Sequence, residues 1–307
     1  MRALVVVNPN ATTTSERTRD VLLAALGHDL ELEVSETGHR GHARELAEHA
    51  RRQRYDLVVA VGGDGTLNEV VNGVLASGAS NDPPPAIGIV PGGSTNVLAR
   101  NLGIPENPVE ATGLLLDAIR AGRRQSIGLG RLGERYFTFT AGAGLDADVI
   151  RAVEDERARG RSATVSLFVR TALRRFFAQP NRRHGSITLE AADGSTVSGL
   201  SVVIVSNSTP WTYLGARPLR ATSRVDLDGG LDVLGLAGLG VPSTLWRLAQ
   251  MTTRRGPRGR DVVSFHDQQR IVISSADPVP IQVDGDYVGE ATSIELTSAP
   301  NAVEVVY

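Results

Sequence analysis

The stretch Val58-Val59-Ala60-Val61-Gly62-Gly63-Asp64-Gly65-Thr66-Leu67-Asn68-Glu69-Val70-Val71-Asn72-Gly73 decides the fold. Its apolar, β-branched start reads as a buried strand. Three glycines follow, with one carboxylate among them. Leu67, Val70, Val71 and Val74 then recur at helical spacing. The unit is strand, tight glycine turn, helix. Glycines let a phosphate approach the main chain closely, and the N–H groups of a helix start favour an anion. A carboxylate beside phosphates repels them unless a cation lies between. The stretch therefore reads as a polyphosphate site with Mg²⁺ near Asp64. On the glycines alone, the strand-to-helix turn of any α/β protein is an equal alternative.

Outward from this stretch the rhythm repeats. Residues 3–8 read as a strand, followed by a polar turn and a helix to about Leu26. Leu30–Val34 alternates as a strand does, and a helix follows the turn Thr37–Ala43. Ala86–Val90 is another apolar strand, ending in Pro91-Gly92-Gly93-Ser94-Thr95-Asn96. Residues 1–125 thus predict a doubly wound parallel sheet with its site at the carboxyl edge of the strands. From about Ser126 short strand-like pieces separated by turn residues predict an antiparallel β-sandwich, interrupted by a helical region near Asp146–Gln179. The expected domains are 1–125 and 126–307, with the last strand returning to the first domain.

Composition narrows the chemistry. The 307 residues carry a formal charge of −2 and no cysteine. This argues against nucleic acid as a partner and removes thiolate chemistry. No run of eighteen apolar residues marks a spanning helix, and the apolar N-terminal run is too short for a signal peptide, so a cytoplasmic protein is expected. Every one of the 32 basic residues is arginine. P-loop NTPases and protein kinases, which place a lysine on the phosphates, are excluded, as is Schiff-base chemistry. A nucleotide here would be held by main chain, arginine, hydroxyls and metal.

Other candidates each have a plain alternative. Ser94, Thr95 and Asn96 could bond phosphate or ribose, or simply cap a helix. Asn8, Thr12 and Thr37 sit at strand ends, where turn formers are common. His39 and His42 read as solvated. Asp226-Leu227-Asp228-Gly229-Gly230-Leu231-Asp232 suits Mg²⁺ or Ca²⁺ and equally a polar hairpin. Asp284 and Asp286 stand at an Asp-Gly hairpin signal and could serve as a general base and its partner. Two arginine-rich stretches, Arg157–Arg183 and Leu245–Arg260, read as basic amphipathic segments for an anionic membrane surface, or as solvated arginine over core-facing apolar residues.

Together these motifs resemble the soluble diacylglycerol kinase family, which includes bacterial lipid kinases and sphingosine kinases. The family pattern of Asn-Pro, GGDGTxNEVxNG, PxGTxNDFAR, DGxLDV and DGE stands here as Asn8-Pro9, Gly62–Gly73, Pro91–Arg100, Asp228–Val233 and Asp284–Asp286. GGDGT alone is shared with NAD kinases and phosphofructokinases; the long form followed by PGGSTN is more specific. The resemblance implies an ATP-binding first domain, a β-sandwich second domain and a lipid hydroxyl as acceptor, diacylglycerol first among candidates, with phosphatidic acid as product. An NAD kinase or a non-catalytic nucleotide- or lipid-binding paralogue is the alternative. The implied nucleotide contacts are Asn8, Pro9, Asn10, Ala11, Thr12, Thr37, Gly63, Asp64, Gly65, Thr66, Leu67, Asn68, Glu69 and Ser94. The family's Mg²⁺ maps to Asp228 and the main chain at Val225 and Gly230. Its general base maps to Asp286, with Asp284 beside it. Three positions depart: Ser94 replaces threonine, Val97 replaces an aspartate of an acid–water–Mg²⁺ network, and Asp286 replaces glutamate. The expected partners are a lipid substrate and, peripherally, a membrane surface; homodimerisation is left open.

Overall fold

The computed structural model describes residues 1–11, 16–76, 82–159, 170–172, 174–175, 185–223 and 225–307. The chain divides into two compact units, one of Met1–Leu129 with Pro300–Tyr307, the other of Gly130–Ala299.

In the first unit the strands are β1 (Arg2–Val7), β2 (Glu31–Glu36), β3 (Leu57–Gly62) and β4 (Ala86–Pro91). They pair in parallel in the order β2-β1-β3-β4. All six residues of β3 and of β4 are buried, the mark of parallel strands covered on both faces. Helices α1 (Glu16–Asp29) and α5 (Pro108–Ala121) pack together, as do α2 (His42–Arg52) and α3 (Asp64–Val74); a short α4 (Val97–Asn101) follows β4. Ala3, Val5, Val7, Leu57, Val59 and Val61 point one way into a core with Leu22, Leu26 and Leu115, as the period-two alternation of strands requires. Val305 and Val306, the last strand residues, pair parallel to Ile87 and Gly88.

The second unit is antiparallel. Its strands are β5 (Gln125–Leu132, which enters from the first unit), β6 (Arg135–Phe137), β7 (Thr140–Gly144), β8 (Ile187–Glu190), β9 (Thr196–Leu200), β10 (Val202–Ser206), β11 (Thr212–Leu214), β12 (Arg217–Leu219), β13 (Leu231–Leu236), β14 (Val262–Gln268), β15 (Arg270–Val283) and β16 (Asp286–Val306). One set runs β14-β13-β10-β7-β15. The long β15 shifts register between Ser274 and Val279. Its first half pairs with β8 and its second with β7, so one strand serves two layers. Ile271 and Ile273 from the first half and Val283 from the second share a core with Leu189, Val203, Val205 and Leu231, a face-to-face sandwich packing. Helices α6 (Leu145–Ala158) and α7 (Val241–Met251) also belong to this unit.

Candidate functional site

Because β1–β4 are parallel, their carboxyl ends share one edge, and the first-unit candidates gather there. Asn8 follows β1, Thr37 follows β2, Gly63–Thr66 follow β3 and Ser94 follows β4. The main chain ties them together. Thr37 N–H donates to Val7 O (2.8 Å), Asn8 N–H to Val61 O (2.9 Å) and Gly92 N–H to Gly62 O (2.8 Å). Asn8 Nδ2 donates to Thr66 Oγ1 at 3.1 Å, while Asn8 Oδ1 accepts from Asn10 N–H at 3.0 Å. The two glycine loops meet backbone to backbone. A Cβ added to Gly93 would lie 2.6 Å from Gly63 Cα, and one on Gly92 would lie 3.0 Å from Ala11 Cβ. Only glycine allows that approach, and it leaves a floor of peptide groups rather than side chains. Pro9, Asn10, Gly65 and Ser94 are exposed on it; Thr12 lies outside the described residues.

Two carboxylates in this unit cap neighbouring helices. Asp64, at the first position of α3, accepts from Val97 N–H at 2.6 Å through Oδ1. That supplies the N-terminus of α4, whose own Asn96 is left-handed (φ 48°) and bonds back to Gly93 instead. Glu69 accepts from Gly41 N–H (2.8 Å) and Ala43 N–H (3.1 Å). It caps α2, whose Gly41 is left-handed at φ 90° and has no side chain to do so. Leu67 and Asn68 are buried, and Asn68 accepts from Asn72 Nδ2. The Glu69, Leu67 and Asn68 side chains are thus engaged within the unit, and a ligand at the loop would meet their main chain.

In the second unit the β15–β16 turn carries Asp284 and Asp286, which differ sharply in surroundings. Asp284 is 7% exposed and left-handed (φ 49°). Its carboxylate accepts from Thr138 N–H (2.7 Å), Thr138 Oγ1 (2.8 Å), Phe139 N–H (3.0 Å) and Thr140 N–H (3.0 Å). Burial pushes its pKa up, and those four donors pull against it. Asp286 is half-buried and pairs with Arg135 Nη2 at 2.8 Å. Gln282, 1% exposed, joins the turn to α6: Oε1 accepts from Gly285 N–H at 3.0 Å, and Nε2 donates to Asp146 at 2.9 Å. Burial raises the Asp146 carboxyl to about 6, against that hydrogen bond. Asp146, Gln282, Arg135 and Thr138 were not singled out from sequence. The one signal was a pair of carboxylates, Asp146 and Asp148, between the apolar stretch Ala141–Leu145 and Val149.

In the acidic turn before β13 the Asp226 and Asp232 carboxylates are tied to the main chain, with Asp226 and Asp228 exposed and Asp232 buried. Asp226 accepts from Asp228 N–H (3.2 Å) and Asp267 from Gly230 N–H (2.6 Å). Asp232 is buried and accepts from His266 Nδ1–H (2.5 Å) and Asp267 N–H (3.1 Å). Asp228 is exposed. Among the described residues, the ligand atoms of His39, His42 and Glu45 come together, all within 4.8 Å, and the imidazoles stack. The solvated reading of these histidines missed this, because the turn into α2 folds positions three apart onto one side.

The comparisons agree with this architecture. Residues 2–132 match the diacylglycerol kinase catalytic domain. The diacylglycerol kinase of Staphylococcus aureus (strain bovine RF122 / ET3-1) is 28% identical over 296 residues, covering 94% of this chain and 87% of that protein. That of Bacillus subtilis (strain 168) is 28% identical over 252 residues, covering 81% and 77%. A crystal structure of a diacylglycerol kinase from Bacillus anthracis str. Sterne superposes with a TM-score of 0.73 at 18% identity, covering 100% of this chain and 96% of that one; at that identity the likeness is one of fold.

Proposed function

We propose that this lipid kinase of the diacylglycerol kinase type moves the γ-phosphoryl group of ATP, with Mg²⁺, onto a lipid hydroxyl, diacylglycerol first among the candidates, giving phosphatidic acid. The observation that carries the reading is the glycine-on-glycine contact of the Gly62–Gly65 and Pro91–Ser94 loops. It presents N–H groups at a helix start, where phosphates are favoured, in a chain with no lysine to take their place.

In this reading Asn8–Thr12, Thr37, the Gly63–Glu69 main chain and Ser94 bind and orient the nucleotide. Asp64, besides capping α4, would hold a Mg²⁺ that offsets the charge of the phosphates. A second Mg²⁺ would be held by oxygen donors alone, the exposed Asp228 carboxylate and the main chain at Val225 and Gly230, a set that suits a hard cation. Mg²⁺ bound there or beside the phosphates would offset negative charge. The lipid oxygen bonds to the γ-phosphorus as the bond to the β-phosphate oxygen breaks, and ADP leaves. Asp286 accepts the hydroxyl proton, with Arg135 holding its carboxylate in place. Asp284 supports the turn rather than the chemistry. A bilayer-borne acceptor also implies peripheral docking on a membrane.

Transfer of label from γ-labelled ATP to a lipid panel in mixed micelles tests the reading. Label in a lipid product with diacylglycerol is expected. ATP binding with no lipid labelled would leave a binding protein.

A further inference from the structure

Helix α7 is packed inside out. Its inward residues are Met251 and Arg247, the latter 6% exposed. Arg247 donates through Nη2 to Asp261 (2.9 Å) and through Nη1 to Gly238 O (3.2 Å). Facing outward are Leu245, Trp246 and Leu248, at 58, 65 and 49% exposed, with Val241 at 37%. At 100° per residue, Val241, Leu245 and Leu248 form one line, and Trp246 flanks it. Pro242 and Ala249 fill the same arc and are also exposed, and no charge interrupts it. A helix folded for stability alone would turn Leu248 inward and Arg247 out, because burying a guanidinium is costly and burying leucine is favourable.

The residues just beyond the helix identify the surface this face meets. Arg254, Arg255, Arg258 and Arg260 are all exposed within ten residues of Met251, and among the described residues no salt bridge reaches them. In a chain of net charge −2 this is a local concentration of one sign. An apolar face with an exposed tryptophan, bordered by arginines, complements a surface that is apolar below and anionic above. A second copy docked through the same face would bring like-charged arginine sets together, which is unfavourable.

We propose that α7 is an insertion element for an anionic bilayer. Leu245, Trp246 and Leu248 enter the headgroup–acyl boundary, and the four arginines sit on lipid phosphates. The inference deepens the lipid-kinase reading, on which it rests for its purpose, and Arg247 with Asp261 acts as the clasp that keeps the apolar face outward.

The test uses the full chain and vesicles of phosphatidylcholine with or without phosphatidylglycerol. Sedimentation should show binding to the anionic vesicles. Trp246→Ala should weaken it about tenfold or more, the scale of losing one large interfacial side chain. Each Arg→Gln change should weaken it about fivefold, and only with phosphatidylglycerol present. The chain has two tryptophans, so Trp211→Phe leaves Trp246 as sole reporter. Its emission should be quenched by lipids brominated along the acyl chain. Vesicle binding without quenching, or unchanged by Trp246→Ala, overturns the proposal. So does a dimer in sedimentation equilibrium that Trp246→Asp dissolves, since a second copy would then cover the face. A short-chain diacylglycerol dissolved as monomer separates this inference from the kinase reading. Trp246→Ala should phosphorylate it as wild type does. If wild type does not phosphorylate it, diacylglycerol is not the acceptor and the vesicle results still decide the fate of α7.

Discussion

The two carboxylates of the β15–β16 turn should separate cleanly when each is made an amide. In Asp284→Asn, one oxygen must serve where two carboxylate oxygens accept four donors. The cheaper orientation puts the amide nitrogen on the Oδ2 side. There Thr138 Oγ1 can rotate and accept. Thr138 N–H, 2.7 Å away, cannot, and is left facing another donor in a buried site. One donor unsatisfied, plus charge assistance lost at the remaining bonds, costs about 2–4 kcal/mol. Asp286→Asn breaks a half-exposed pair with Arg135, worth about 0–1 kcal/mol, and should leave stability almost unchanged. Activity reverses the order. Asp286→Asn should lower kcat by about 10²–10⁴ with ATP affinity retained, whereas Asp284→Asn should keep substantial activity at a temperature where it is folded. Both tryptophans lie in the second unit, so a urea titration followed by their fluorescence reads the stability of the unit that holds both residues. A wild-type midpoint for Asp284→Asn together with full activity for Asp286→Asn would refute the assignment.

Three further changes probe the scaffold. Asp64→Asn keeps an oxygen for Val97 N–H, so the Tm should hold while phosphoryl transfer is abolished; near-full activity would make Asp64 a cap alone. Glu69→Ala strips the acceptor from two N–H groups at the start of α2 and should cost about 1–2 kcal/mol, read as a lowered Tm. Asp146 is raised to about 6, so the folded chain binds more protons than the unfolded one between about pH 4 and 6. Stability from this group is therefore greatest at low pH and is lost as pH rises through that window. Asp146→Asn should flatten that slope and stabilise the chain at pH 7 by about 1–2 kcal/mol, the shift discounted for partial exposure; an unchanged slope in pH-dependent urea titrations counts against it.

The parallel half of the fold was plain in the sequence because β1, β3 and β4 are short apolar runs ending in glycine or polar turn residues and β2 alternates. The gathering of its candidate residues was legible for the same reason: parallel strands bring all their carboxyl ends to one edge, whatever lies between them in the chain. The caps were not. Glu69 meets Gly41 and Ala43 from another helix, and no local pattern announces a partner 26 to 28 residues away. The sequence offered only short strand-like pieces after Ser126, yet β16 runs from Asp286 to Val306, since its many exposed positions hide the alternation. Much of the Arg157–Arg183 stretch, Phe168, Phe176 and Phe177 included, lies outside the described residues. For Leu245–Arg260 the sequence offered a basic amphipathic segment or solvated arginine over core-facing apolar residues, and the helix turns Leu245 and Trp246 outward with Arg247 and Met251 inward. Periodicity says which side chains stand together and nothing about which side is inward, so the reading with apolar residues in the core came out reversed.

The contact of Gly63 with Gly93 has a consequence for how such a chain can drift. Neither loop can gain a side chain at that point unless the other retreats, so the two segments, thirty residues apart, are heritable as a pair. Substitutions there should be tolerated jointly or not at all. Anyone grafting one loop from a relative into this chain should carry over its counterpart as well.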